Sequence, residues 1–483
     1  MKQTKVFFTV FMGLILVLVV TVFTGWAQPS PKYELSIADL EKYKTPMDDP
    51  SPFYKNIEGY KKIMPTDVYK KVIYDIETMK KSWAEVVGFT APNVVGKVAP
   101  EIVPGKYSYK DKSKFPFEKI MWKHMYDWFN APPTSGPRHV GYFTEIEVVP
   151  TRQYYWALPV AEATKKYMES VKQDNQGYLV KETYMAGYPF PRPSGPHKAQ
   201  QIIYNWDKSY WAGDSNYYLE DVFGFTRDLR EDYRGIGAAY AARLHGRVLM
   251  EPYGWFDERA RVNGESGVLH YWSLAPRDVY GNTISITSYI DPNKDDLLMV
   301  YIGALRRIRK LTASDSQDPA VGPDVIYEDG SGFFQKLSPT RYPYKYEMIG
   351  EGEYLAPITV DGSPYMSKKE GHTIKQLQFE RRPVWVVQMT QLDRHYVYSK
   401  RIWWVDKEFL LPYHIENFDQ KGRLYRTWTN TWGFIPEMGL YNQFHVLALD
   451  HIDTHSTAYH SFSYPAAWLS RADISLSGLV KAK

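Results

Sequence analysis

From residue 178 to residue 464 the chain is a succession of short strand-like runs, and this rhythm limits its fold more than any other feature. Runs at 178–185, 239–252, 268–274, 282–290, 297–311, 344–349, 373–379, 384–390, 396–405, 412–418, 423–431, 444–455 and 458–464 are rich in aromatic and β-branched residues. Polar turns such as DPNKDD (291–296), DKEF (406–409) and DQKG (419–422) punctuate them. Such runs form antiparallel hairpins. The expected fold class is therefore mainly β, a large curved antiparallel sheet or unclosed β-barrel.

Helices are expected mainly upstream. Thr66 and Asp67 offer caps to a helix in which Val68, Val72, Ile73, Ile76, Met79, Trp83 and Val87 recur at three- and four-residue steps, and Gly88 ends it. A second amphipathic helix follows Pro159, with Val160, Thr164, Tyr167, Met168 and Val171 on one face and Gly177 as its stop. A shorter candidate lies at 36–43, in a proline-rich arm. Two helices beside such a sheet are expected to cover its open mouth.

The first residues carry an export signal. Lys2 and Lys5 precede a stretch, 6–23, that contains no charge, and Gly25-Trp26-Ala27 offers small residues for cleavage after Ala27. Its 18 residues could also remain as an uncleaved anchor. Cleavage would leave an N-terminal arm with an amphipathic helix at 28–138 and the β domain at 139–483. The chain has no cysteine, which excludes disulfides, thiolate metal sites, a cysteine nucleophile and a lipid-modified cysteine. Removing Lys2 and Lys5 lowers the formal charge from +4 to +2. A near-neutral exported protein is a poor nucleic-acid binder, so no nucleic acid is expected as a partner. Forty tyrosines, twenty-two phenylalanines and fifteen tryptophans suit a bulky sheet, an aromatic-lined cavity for a greasy ligand, or both.

Motifs for chemistry are sparse. Neither AGDSN around Ser215 nor DGSGF around Ser331 makes a nucleophile elbow, and GFTAPNVVGK (88–97) has the wrong spacing for a phosphate loop. No enzymatic activity and no cofactor are expected, although twelve histidines leave a spatially assembled triad open. His451, Asp453 and His455 in DHIDTH (450–455) would share one face of a strand and are the metal candidate. The acidic loop at 315–329 lacks EF-hand spacing.

YIGALRRIRKL (301–311) reads as one strand, apolar on both faces until Arg306. Beyond that point Arg306, Arg307, Arg309 and Lys310 make both faces cationic. These four form a rim that either pairs with Asp315, Asp318, Asp324, Glu328 and Asp329 downstream or meets an anionic headgroup or an acidic partner surface. In AGYPFPRPSG (186–195) alternate prolines stiffen an extended crossing. Tyr188 and Phe190 from it, with Trp206 and Trp211, are expected at a wall of the core or at a cavity mouth.

The order and spacing of several segments carry a family likeness: VPTRQYYWALP (149–159), AGYPFPRPSG, YNWDKSYWAGDS (204–215), YIGALRRIRKL, DPAVGPDVIYEDGSGF (318–333), RRPVWVVQMT (381–390), YSKRIWWVDKEFLLP (398–412) and FDQKGRLYRTW (418–428). Together they resemble the envelope proteins of the domain of unknown function 1329 family, outer-membrane lipoprotein-sorting-like proteins similar in fold to the periplasmic lipoprotein carriers. The resemblance implies an unclosed antiparallel barrel with helices in its opening, in the periplasm or peripheral at the outer membrane. It also implies a lipid-like small molecule as ligand, and as partners an outer-membrane barrel protein and an inner-membrane exporter of the resistance-nodulation-division type. It carries no catalytic residues. The expected function is that of a carrier for a hydrophobic or amphipathic ligand. Two alternatives stand: a non-transporting adaptor or assembly factor for an envelope complex, and an enzyme on a lipid-like substrate.

Overall fold

The computed structural model describes residues 66–311 apart from 212, then 317, 325–326, 329, 337–359, 365–464 and 469–475. The leader at 1–27, the helix expected at 36–43 and most of the acidic loop lie outside the described residues. Among these the helices are α1 (Thr66–Lys71), α2 (Ile76–Val87), α3 (Ala91–Val94), α4 (Lys123–Trp128), α5 (Leu158–Tyr167), α6 (Lys198–Asp207) and α7 (Glu258–Asn263). The strands are β1 (Gly105–Ser108), β2 (Glu145–Val148), β3 (Ser215–Phe225), β4 (Glu231–Arg243), β5 (His245–Arg247), β6 (Gly254–Trp255), β7 (Glu265–Ala275), β8 (Thr283–Tyr289), β9 (Leu297–Ile302) and β10 (Arg307–Leu311). They continue as β11 (Tyr344–Thr359), β12 (Tyr365–Ser367), β13 (Thr373–Lys375), β14 (Gln378–Gln391), β15 (Lys400–Asp406), β16 (Pro412–Phe418), β17 (Leu424–Ile435), β18 (Leu440–Asp450) and β19 (Ser456–Tyr464).

Fifteen of these strands form one sheet, in the order β1-β2-β14-β15-β16-β17-β18-β19-β3-β4-β7-β8-β9-β10, with β11 lying on β14 and touching β17. Nearly all pairings are antiparallel; β14 with β2 and the end of β11 with β17 are parallel, so the sheet is mixed. It curves round without closing as a barrel. Helices α2, α5 and α6 fill one face over β14–β18, where Trp83 meets Trp156, Trp156 meets Tyr441 and Trp206 meets Trp432. The segment from 117 to 149 covers the other face, with Trp122 on Trp404 and His414, and Phe143 on Phe379.

Several expectations are corrected. The helix expected from Thr66 to Gly88 is two helices, because Asp75 leaves the helix and its Oδ1 caps α2 by accepting from the Thr78 N–H at 2.8 Å. Gly88 ends α2 at φ 88°, as its position implied. The run at 178–185 is no strand; Thr183 Oγ1 donates to Val180 O and accepts from Lys172 N, which holds it in a tight turn. The run at 297–311 is not one strand but the hairpin β9–β10, turned at Gly303–Leu305, with Arg306 left-handed at φ 49°.

The adjacent arginines of RRPVW pin the N-terminal segment to the sheet in two places. Arg382, fully buried, donates to Asp406 (Nε–Oδ2 2.8 Å), Glu408 (Nη2–Oε2 2.8 Å) and Arg152 O. Glu408 also accepts from the backbone N–H groups of Ala91 and Tyr154. Arg381 pairs with Glu353 (Nη1–Oε1 2.6 Å) and donates to the carbonyls of Val98, Ala99 and Ile102. Glu353 in turn accepts from the N–H groups of Gly96, Lys97 and Val98.

Candidate functional site

With both faces of β14–β18 filled, the space between helices and sheet opens farther along, over β4, β7 and β8. A pocket of about 280 Å³ lies there beneath the C-terminal end of α6. Ala241, Leu269 and Ile286, neighbours across three strands, make an apolar floor, and Trp211 stands beside them. Leu269 is only half-buried. The rim is charged but paired: Lys181 with Asp291 at 3.3 Å, and Lys208 with Asp207 at 2.8 Å. Arg243, in the wall, stacks over Tyr210 at 4.0 Å and donates to the carbonyls of Lys208 and Ser209. A larger hollow of about 730 Å³ beside β1 and β2 is lined by charged groups, among them Lys106, Asp111, Glu145 and Glu147, together with Tyr107, Ile146 and Leu377.

His245 stands in the pocket wall between the rings of Tyr184 and Trp255. Burial first, then the charges of Lys208 and Arg243, lower it from the ordinary 6.5 to about 4. The unfolded chain takes up this proton near pH 6.5 and the folded chain only near pH 4, so stability is full above pH 6.5 and falls as the pH drops through that window. His245→Phe keeps the stacking and should flatten this dependence in urea melts compared at pH 7.5 and 5. An unchanged slope would remove His245 from the account.

Of the four residues expected at a cavity mouth, Trp211 alone lines this pocket. Tyr188 and Trp206 are buried in the core and Phe190 packs on Tyr204. The prolines make a core crossing: Arg192 donates to the last carbonyls of α2, and Asn205 of α6 bonds both backbone groups of Phe190.

The basic run lies on β10, the outermost strand of the sheet among the described residues. Leu311 pairs with Leu298, which pairs with Ile286 of the pocket floor. By strand alternation Arg307 and Arg309 therefore share the pocket's face, Lys310 points to the other, and Arg306 sits in the turn. All four are exposed, and none forms an ion pair with a described residue. Of the five acids offered as partners, Asp329 is taken by Arg426 at 3.0 Å; the others lie outside the described residues.

The expected metal trio is not on one strand face. His451 and Asp453 fall in the turn after β18, because Asp450 Oδ1 accepts from the N–H groups of Ile452 and Asp453 and bends the chain. His451 stacks on Trp128 and contacts Thr427 Oγ1 at 3.0 Å. It stands, however, beside a different cluster. His124 of α4 and His414 and Glu416 of β16 bring donor atoms within 4.8 Å of one another, with the His451 ring 5.9 Å from that of His124. His414 and Glu416 share a strand face two residues apart, a signal readable in "HIE". His124 is 292 residues from Glu416 and could not be assigned to it from sequence.

The class defined is a mainly β protein whose sheet wraps helices without closing and leaves an apolar-floored pocket part-open among the described residues. The family model described as Protein of unknown function (DUF1329) matches residues 140–463, and the chain belongs to that family. It is 26% identical over 330 residues to the uncharacterized protein PA3922 of Pseudomonas aeruginosa. That match covers 66% of this chain and 65% of the relative, so the chain spans just under two thirds of that relative's length. Among solved structures it is similar to a DUF1329 family protein from Desulfovibrio piger (16% identity, 58% of this chain and 97% of that one, TM-score 0.42). A putative outer membrane lipoprotein-sorting protein domain from Vibrio parahaemolyticus is also similar (17%, 59% and 100%, TM-score 0.41). A LolA superfamily protein from Nitrosomonas europaea aligns with a TM-score of 0.37 at 14% identity, over 58% of this chain and 98% of that one. No helix among the described residues is long and apolar enough to cross a membrane.

Proposed function

We propose that this chain is a periplasmic binding protein that carries a hydrophobic or amphipathic, lipid-like molecule. The observation that supports it is the half-open apolar floor of Ala241, Leu269 and Ile286 under a rim whose charges already have partners. Covering such a floor gains roughly 25 cal/mol per Å² removed from water. At about 280 Å³ the pocket is at the small end of ligand sites, so the rest of the molecule extends along the sheet. Tyr271, Ile284 and Val300 continue the same face and are likewise half-buried. Arg307 and Arg309 lie on that face two strands beyond β8, roughly 10 Å at the usual strand spacing. There they would meet an anionic headgroup. The C-terminal end of α6 and the segment after it act as the lid. An outer-membrane barrel protein and an exporter of the resistance-nodulation-division type are the proposed hand-over partners.

The experiment is native mass spectrometry with solvent extraction of the protein purified from its own envelope, paired with titration of a fluorescent long-chain fatty acid. A stoichiometric lipid is expected. Leu269→Arg should weaken the probe at least about tenfold, 1.4 kcal/mol, with the fold intact. An empty protein whose probe response ignores Leu269→Arg would sink the carrier reading. The adaptor reading rests on a separate observation, the exposed cationic edge of β10, and a tight envelope complex without extracted lipid would favour it.

A further inference from the structure

We infer that His124, His414 and Glu416 form a binding site for a divalent transition metal ion of the zinc class. Two imidazoles and a carboxylate, with one position left for water, are a ligand set that zinc accepts in tetrahedral geometry. In a chain without cysteine, nitrogen and oxygen donors are the ones available. Zinc bonds of about 2.0–2.1 Å in a tetrahedron place donor atoms roughly 3.3 Å apart. His414 Nε2 lies 3.5 Å from Glu416 Oε1, which meets that spacing as it stands. His124 Nδ1 lies 2.5 Å from the same oxygen and would have to move outward by under about 1 Å. Its side chain is on the six-residue α4 and 23% exposed, so it has room to do so.

The independent sign of a missing ligand is at His414. Its ring is fully buried, yet Nε2 makes no well-formed hydrogen bond among the described residues, its polar neighbour being Glu416 Oε1 at a long 3.5 Å. A buried imidazole nitrogen left so is uncommon in a folded protein. The other nitrogen, Nδ1, contacts Thr429 Oγ1 at 2.8 Å. When Nδ1 carries the hydrogen and donates to that hydroxyl, Nε2 keeps its lone pair toward Glu416, the outer contact that metal-bound histidines use to fix their tautomer. Trp122 stacks on the His414 ring and holds its plane. Exposure of His124 supplies both a route in from solvent and the open coordination position. Because His124 comes from the covering segment and the other two from β16, the ion would bridge that layer to the sheet.

Zinc titration of the chelator-treated full chain, repeated with cobalt(II) as a visible-absorption probe, tests the site. One equivalent is expected to bind, with cobalt showing the bands of a four-coordinate nitrogen–oxygen site. His124→Gln, at a part-exposed position that leaves the core intact, and Glu416→Gln should each weaken zinc at least about tenfold, while His455→Gln should not. The inference is overturned by an absence of stoichiometric zinc, by affinity unchanged in His124→Gln and Glu416→Gln, or by loss of binding in His455→Gln instead.

Discussion

Arg382→Met should lower the stability of the chain by about 3–5 kcal/mol, read as the shift of its urea midpoint followed by tryptophan fluorescence. Methionine fills much of the same volume, so the loss is electrostatic. The guanidinium lies fully buried against Asp406 and Glu408, with the equally buried Glu380 at 3.7 Å. Without it three carboxylates share a dry site with Arg152, which reaches Glu380. Burial already raises Glu408 above its ordinary range against the pull of Arg382, so that carboxyl has no solvation to fall back on. Adding Asp406→Asn and Glu408→Gln to the variant should restore part of the loss, since the stranded charges leave with their partner. A loss below about 1 kcal/mol for Arg382→Met alone would show that the network relaxes to water.

Gly187→Ala should be nearly as damaging, at about 3 kcal/mol, whereas Gly195→Ala in the same segment should lose only about 1 kcal/mol. Both glycines are left-handed, at φ 78° and 71°. A Cβ on Gly187 would lie 2.6 Å from the Thr164 backbone in α5, which cannot yield as a side chain tip can; one on Gly195 meets nothing within 4 Å. The intrusion would also spoil two bonds, Gly187 N–H to Tyr210 Oη (2.9 Å) and Tyr188 N–H to Thr164 Oγ1 (3.0 Å). Equal losses at the two positions would leave only backbone strain as the cause.

The strands were most legible where turn residues bracket them. The run at 412–418 is β16 as it stands, and 282–290 is nearly β8. Reading failed where buried charge imitates a loop. The gap left between 379 and 384 belongs to the first half of β14, because Arg381, Arg382 and Pro383 look like surface residues, while both arginines have partners inside the protein. Polar residues also hid α6, although Ala199, Ile202, Ile203 and Trp206 mark a helical face at three- and four-residue steps. At the pocket, composition pointed to a greasy ligand and Trp211 was named. The floor was not, because Ala241, Leu269 and Ile286 become neighbours only through the pairing of three strands.

The two pins on the N-terminal segment decide what the smallest foldable piece of this protein is. The stretch that the family model recognises begins at residue 140, after Ala91 and the carbonyls of Val98, Ala99 and Ile102. A fragment cut at that boundary would keep Arg381 with Glu353, and Glu408 with Arg382 and the Tyr154 N–H, but lose the backbone groups of residues 91–102 that complete their bonding. The recognisable module is therefore expected to be less stable without that segment. The leading segment completes the bonding of the module's buried charges, so grafting or trimming experiments on this chain should carry residues 91–102 along.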